Sequence, residues 1–95
     1  MFVGAGKLSI RIPYAQSLKE KRAVVNSIKR KLNNKFAVSV AEVDKLDMRN
    51  TSVIGVGAVS SDKNIIMSLF EKIFDFVENN FDVILIDNEF DILKY

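Results

Sequence analysis

Apolar residues recur at every second position in some segments of the chain and at helical spacing in others. The order of these segments constrains the fold more than any other feature. Residues 2–12 place apolar or small side chains at every second position, as in a half-buried strand, and Pro13 ends the segment. A stripe at helical spacing follows, formed by Leu18, Val24, Val25, Ile28 and Leu32. Two strand-like segments, a second helical stripe and a last strand-like segment complete the series. The predicted order is therefore strand, helix, strand, strand, helix, strand.

Capping residues mark the ends of both predicted helices. Ser17 is an N-cap residue, and Glu20 three positions later completes a capping box. Asn33-Asn34 is expected to close the first helix, because asparagine tolerates the left-handed conformation used there. The second helix is bounded in the same way, by Ser61 or Asp62 and by Asn79-Asn80.

The remaining strands are predicted at residues 36–43, 51–60 and 81–87. The tail, residues 88–95, either extends the fourth strand or adds a short edge strand. This order is that of the ferredoxin-like, or split βαβ, arrangement. Right-handed crossovers then place both helices on one face of a four-stranded antiparallel sheet. We expect an α+β fold in which residues 1–95 form one domain.

Composition excludes several kinds of chemistry. The 95 residues contain no cysteine and no histidine, so thiolate nucleophiles, imidazole bases and the usual ligands of zinc, copper and haem are missing. Glu42, Asp44 and Asp47 could hold a hard cation, but their spacing matches no calcium loop and favours solvated loop carboxylates. No catalytic residue, cofactor site or metal site is therefore predicted. Since no apolar run approaches ~20 residues and no signal segment is present, we expect a cytosolic protein that does not enter the membrane.

Charge is divided unevenly along the chain. Residues 1–35 carry nine lysines and arginines against one glutamate, a net charge of +8, whereas residues 36–95 carry five against eleven acids, a net charge of −6. Most of the positive charge lies on the first predicted helix. The candidate nucleic-acid-binding residues there are Lys19, Lys21, Arg22, Lys29 and Arg30. Such a basic face fits a polyanion such as structured RNA.

A plainer interpretation is that these cations form an ordinary solvated surface and pair with the acidic second helix beside them. Cations in the first helical turn are mildly unfavourable, because the helix N-terminus is already positive, and this favours a functional role. Lys21 is a separate case, since it projects into the apolar stripe. Its amine could reach water at the helix end, or it could be presented to an anionic ligand in a cleft between helix and sheet.

The sheet face away from the helices is predicted to be flat, small and weakly apolar. It would carry Lys7 and Arg11 but no aromatic side chain on which an RNA base could stack. Packing of this face against a second copy, in a homodimer, suits it better, although an open face and a protein partner remain alternatives.

Three segments resemble one known family. Residues 17–25 (SLKEKRAVV), 36–44 (FAVSVAEVD) and 54–60 (IGVGAVS) are similar to the first helix start and to the second and third strands of the YlxP-like family of small bacterial proteins. The resemblance implies a ferredoxin-like fold, a bacterial cytosolic setting and no known activity. Relatives' genes tend to lie among those for translation and ribosome maturation, which implies association with RNA or a ribosomal surface. The leading hypothesis is a small, non-enzymatic, dimeric binding module that contacts structured RNA or a ribosomal surface through the first helix. The alternative is a homo-oligomeric structural or regulatory protein that binds a protein partner through the open sheet face.

Overall fold

The computed structural model describes all 95 residues and contains the six predicted elements in order. These are β1 (Phe2–Arg11), α1 (Leu18–Lys35), β2 (Ser39–Asp44), β3 (Thr51–Ser60), α2 (Lys63–Asn80) and β4 (Ile84–Lys94). The strands form one antiparallel sheet in the order β2-β3-β1-β4, with each edge strand joined to a central one. The predicted α+β, ferredoxin-like fold is confirmed. Neither helix is long and apolar enough to cross a membrane.

The hydrophobic core lies between the sheet and the two helices. The alternation along β1 is confirmed, because Leu8 and Ile10 are fully buried, Ser9 between them is half-buried, and Lys7 and Arg11 on either side are exposed. On α2 the buried stripe differs slightly from the predicted one. Phe74 belongs to it, whereas Ile65 is exposed, so the core face of this helix is rotated toward β1 and β4.

Two glycines of β1 let α2 approach the sheet closely. A Cβ atom on Gly4 would lie 2.7 Å from the ring of Phe70, and one on Gly6 would lie 2.5 Å from it. Real Cβ atoms do not come so close, so any larger residue would push the helix away from the strand. The small residues predicted from the period-two pattern therefore seat α2 directly over β1.

Both predicted N-cap residues cap their helices, and α2 ends at Asn80 as predicted, whereas the end of α1 and the left-handed caps are not as predicted. The capping box is only half formed, because the carboxylate of Glu20 accepts from the backbone N–H of Gln16 rather than from that of Ser17. The Ser17 hydroxyl accepts a hydrogen bond from the backbone N–H of Glu20, and Asp62 caps α2 through the N–H of Asn64. The expected left-handed asparagine is absent, since Lys45 is the one non-glycine residue with positive φ. Instead α1 continues to Lys35, and Phe36 ends it in an extended conformation while its N–H still bonds to the carbonyl of Leu32. An extended residue breaks the helix as effectively as a left-handed one.

The fourth strand is displaced from its predicted position. It begins at Ile84 and continues to Lys94, so the tail extends this strand rather than forming a new one. A bulge between Ser9 and Ile10 in the pairing with β1 inserts one extra residue in β4. Beyond the bulge Phe90 faces the helices, and its ring stacks on that of Phe70 with centroids 4.9 Å apart.

Candidate functional site

Lys21 is buried in the junction between α1 and the loop that joins β2 to β3. Its side chain has no solvent exposure, and its Nζ lies 2.9 Å from Oε2 of Glu42 on β2. The same nitrogen donates to the carbonyl oxygens of Lys45 at 2.5 Å and of Leu46 at 3.3 Å. An ammonium has three donors, and all three are used. Lys21 therefore has no donor left for nucleic acid or for an anion in a cleft in the folded chain, so the geometry gives no support to the prediction that it binds either one.

The partners of Lys21 are themselves held in place. Oε2 of Glu42 also accepts from the hydroxyl of buried Ser52 on β3, at 2.7 Å. Lys45 has a φ of 60°, and the resulting turn directs two successive carbonyls toward the ammonium. The loop is thereby fixed beside the first turns of α1. Sequence reasoning identified Lys21 as unusual but missed Glu42 as its partner, although Glu42 falls on the helix-facing side of the second strand.

The other four predicted cations lie on the surface and define the basic face of α1. Lys19, Arg22 and Arg30 are exposed and Lys29 is half-buried. None of them has a carboxylate oxygen within 4.0 Å, because the Lys21–Glu42 pair is the only ion pair in the structure. The expected pairing between the basic first helix and the acidic second helix is therefore not formed.

On the flank of α1 that faces α2, lysine ammonium groups lie over aromatic rings. The ammonium of Lys31 lies 5.1 Å from the ring centre of Phe81, and that of Lys35 lies 5.2 Å from that of Phe76. At ~100° per residue, Arg22 and Lys29 fall on the opposite flank of the helix, toward the β2 edge of the sheet. The basic face is therefore directed away from the acidic helix.

A column of carboxylates on the open sheet face was missed at the level of sequence. The register pairs Ala5 with Asp91, Lys7 with Glu89 and Ser9 with Asp87, so all three acids share the face of Lys7 and Arg11. Their spacing of two residues is visible in the sequence, but the predicted strand ended at Asp87, and Glu89 and Asp91 were placed in the tail. The open face is thus more charged than predicted, with cations on β1 and acids on β4.

The hairpin carboxylates Glu42, Asp44 and Asp47 are not arranged around a common site. Glu42 is directed at Lys21, whereas Asp44 accepts a hydrogen bond from the backbone N–H of Lys45 at 2.8 Å. No group of three or more acidic side chains is arranged to hold a metal ion anywhere in the chain.

The ferredoxin-like sheet, the buried Lys21–Glu42 pair, the basic face of α1 and the open sheet face together define a small α+β protein. The chain belongs to a family described as "Protein of unknown function (DUF503)", whose profile matches residues 3–90. It is 32% identical over 77 residues to the uncharacterized protein YlxP of Bacillus subtilis (strain 168), and the match covers 81% of this chain and 84% of that protein. The resemblance found in the sequence is thereby confirmed.

Proposed function

We propose that this protein is a small, cytosolic, non-enzymatic binding module that contacts structured RNA, such as ribosomal RNA, through the basic face of α1. One observation carries the proposal: Lys19, Arg22, Lys29 and Arg30 have no carboxylate partner in the folded chain. Their charge is not neutralised internally, so it remains available to a polyanion.

The cations in the first turns of α1 do not stabilise the helix. The N-terminal end of a helix carries a partial positive charge, so Lys19 and Arg22 in its first turns are placed against the helix dipole. The same end of a helix attracts phosphate, because its dipole and its free backbone N–H groups both favour an anion. The arrangement that weakens the isolated helix therefore supports contact with a nucleic-acid backbone.

The geometry fits backbone contact better than base recognition. The stretch from Lys19 to Arg30 spans roughly 16 Å along the helix axis, enough to follow several phosphates. No aromatic side chain lies within the basic face to stack on a base. Binding is therefore expected to depend on the shape and charge of the RNA more than on its sequence.

An electrophoretic mobility shift with ribosomal RNA at two salt concentrations tests the proposal. Four phosphate contacts predict that affinity falls about 50- to 150-fold between about 50 and about 200 mM salt, through release of counterions. The Lys19→Glu, Arg22→Glu, Lys29→Glu and Arg30→Glu variant should lose both the binding and most of this salt dependence.

A control variant with the same change of net charge carries Lys63→Glu, Lys72→Glu, Lys94→Glu and Lys7→Glu, all at exposed positions outside α1. It should keep most of the binding at low salt. Absence of any shift for the unmodified protein at the lower salt concentration would refute the proposal. Equal loss in both variants would refute the assignment to α1 and leave only an effect of net charge.

A further inference from the structure

The loop that joins β2 to β3 is tied at both of its ends to the part of the chain in which α1 begins. At one end, Lys21 donates to the carbonyl oxygens of Lys45 and Leu46. At the other end, the carbonyl oxygen of Asn50 accepts from the backbone N–H of Ile12 at 2.8 Å. The loop is therefore fixed beside the first turns of α1, at the same end of the sheet.

Burial of the loop's own side chains does not explain its conformation. Leu46 is 53% exposed and Met48 is 46% exposed, so neither of them packs into the core. Lys45 has a φ of 60°, the one positive value at a non-glycine residue of the chain. Such a backbone persists only where surrounding contacts impose it, and it is often found where a protein clamps a ligand. Here the bonds donated by Lys21 impose it.

The buried Lys21–Glu42 pair holds this loop in a way that an apolar pair could not. Apolar side chains of similar volume often replace a buried ion pair without loss of stability, because desolvation offsets most of the attraction between the charges. Only an ammonium, however, has the donors that direct two carbonyls as well as a carboxylate. The pair therefore adds a fixed loop rather than net stability.

The fixed loop carries two cations at the end of the molecule where the basic face of α1 begins. Lys45 and Arg49 are exposed, and neither has a carboxylate oxygen within 4.0 Å. Arg22 lies on the flank of α1 that is directed toward the same edge strand, β2. Two acids reduce the positive charge of the loop: Asp44, which accepts from the backbone N–H of Lys45, and Asp47. The basic face of α1 thus continues onto the loop.

We propose that the β2–β3 loop is a second contact of the RNA site, at which Lys45 and Arg49 bind the phosphate backbone and Lys21 is a positioning residue. This inference rests on the proposed contact between RNA and α1. A helix and a fixed loop together fit an RNA fold in which two backbone segments lie side by side. A flexible single strand would lose more conformational freedom in reaching both. The partner is therefore a folded RNA rather than a single strand.

The salt dependence of binding to a folded fragment of ribosomal RNA, measured by fluorescence anisotropy, tests the loop contact. Six phosphate contacts, four from α1 and two from the loop, predict that affinity falls about 300- to 1,800-fold between about 50 and about 200 mM salt. Lys45→Glu with Arg49→Glu should reduce this fall to about 50- to 150-fold, the range for α1 alone. The control, Lys63→Glu with Lys72→Glu, makes the same change of charge at exposed positions of α2 and should keep the steeper dependence.

The positioning role of Lys21 is tested by Lys21→Met with Glu42→Met, which removes the donors to both carbonyls and leaves the net charge unchanged. Its affinity should fall about fivefold at either salt concentration, because the loop must then be ordered on binding. Its salt dependence should stay steep, because Lys45 and Arg49 are still present, and its circular dichroism should be that of the unmodified protein. An affinity equal to that of the unmodified protein would overturn the role given to Lys21.

The other outcomes separate this inference from the proposed function. A fall of about 50- to 150-fold for the unmodified protein, unchanged by Lys45→Glu with Arg49→Glu, overturns the loop contact and leaves the contact through α1 in place. An equal effect of the control variant overturns the placement of the contact in the loop. Equal binding of an unstructured RNA of the same length overturns the preference for a folded partner. Absence of binding at about 50 mM salt refutes RNA binding itself, and the loop contact with it.

Discussion

The ammonium nitrogen of Lys21 lies 2.9 Å from Oε2 of Glu42, and this pair joins the second turn of α1 to the edge strand β2. Lys21 is fully buried, while the side chain of Glu42 keeps 15% of its exposure. Burying two charges has a desolvation cost, which is offset here because each polar atom has partners and none is left unsatisfied. The pair therefore stabilises the fold only while both members are present.

Replacing Lys21 by methionine should lower the free energy of unfolding by about 3 kcal/mol, since it leaves the carboxylate of Glu42 among carbonyl oxygens without a cation. Urea denaturation followed by circular dichroism measures the loss. Lys19→Met, at an exposed position on the same helix, should change stability by less than about 0.5 kcal/mol. The double variant Lys21→Met with Glu42→Met should be more stable than Lys21→Met alone. A single variant as stable as the unmodified protein would contradict the role given to the pair.

Substitution by alanine should have opposite effects on the free energy of unfolding at Gly6 of β1 and at Gly57 of β3. Gly6→Ala should destabilise the protein by about 1–3 kcal/mol, because the new Cβ must displace Phe70 from a packed core. Gly57→Ala should be neutral or stabilise by up to about 1 kcal/mol, because it meets no neighbour and restricts the unfolded chain. Thermal unfolding at low protein concentration, where self-association does not contribute, compares the two. Equal effects would show that close approach by α2 does not require glycine in β1.

The ring stack between β4 and α2 supplies a third prediction. Phe90→Ala should lower the free energy of unfolding by about 3 kcal/mol, because it leaves a cavity against Phe70. Tyr95→Ala, at a side chain that is 89% exposed, should cost less than about 0.5 kcal/mol. Hydrogen exchange should show protected amides on β4 beyond Asn88. Fast exchange over residues 89–93, together with a small effect of Phe90→Ala, would mean that the end of β4 is not part of the sheet.

Tyr14, in the turn before α1, should titrate later than a free tyrosine. Partial burial raises its pKa above 10.0, and the negative charge of Asp82 raises it further. In a Tyr95→Phe variant, where Tyr14 is the one remaining tyrosine, ultraviolet difference absorption follows its ionisation alone. Asp82→Asn should move the midpoint down by only part of the shift, because burial is the larger cause. Since the neutral phenol is favoured in the folded state, its stabilising contribution is present below pH 10 and is lost as the pH rises. A midpoint at or below 10 would contradict both causes.

Elements with strong local signals were predictable. Ser17 and Asp62 cap their helices through backbone N–H groups two or three residues away, so their effect depends on neighbours in sequence. The alternation of Leu8 and Ile10 with exposed residues fixes which face of β1 is buried. The order of six elements follows from such patterns, and connection rules leave few ways to assemble them.

The fourth strand shows where such patterns fail. Before the bulge the residue of β4 facing the helices is Leu85, and after it the residues are Phe90 and Ile92. The positions change from odd to even, so the period of two is broken within one strand. The bulge is defined by the pairing of β4 with β1, and the predicted strand ended at residue 87, before Phe90 and Ile92. The carboxylate column was missed for the same reason.

The sequence by itself determined the order of elements, the helix starts and the concentration of positive charge on α1, because each depends on residues within a few positions of one another. Tertiary structure decided which of those charges are available. Lys21 is bound by Glu42 and by the carbonyls of Lys45 and Leu46, more than twenty residues away, whereas Arg22 beside it in sequence is exposed. Adjacent residues on a helix point in directions ~100° apart. What each one meets there depends on the strands that the fold brings beside the helix.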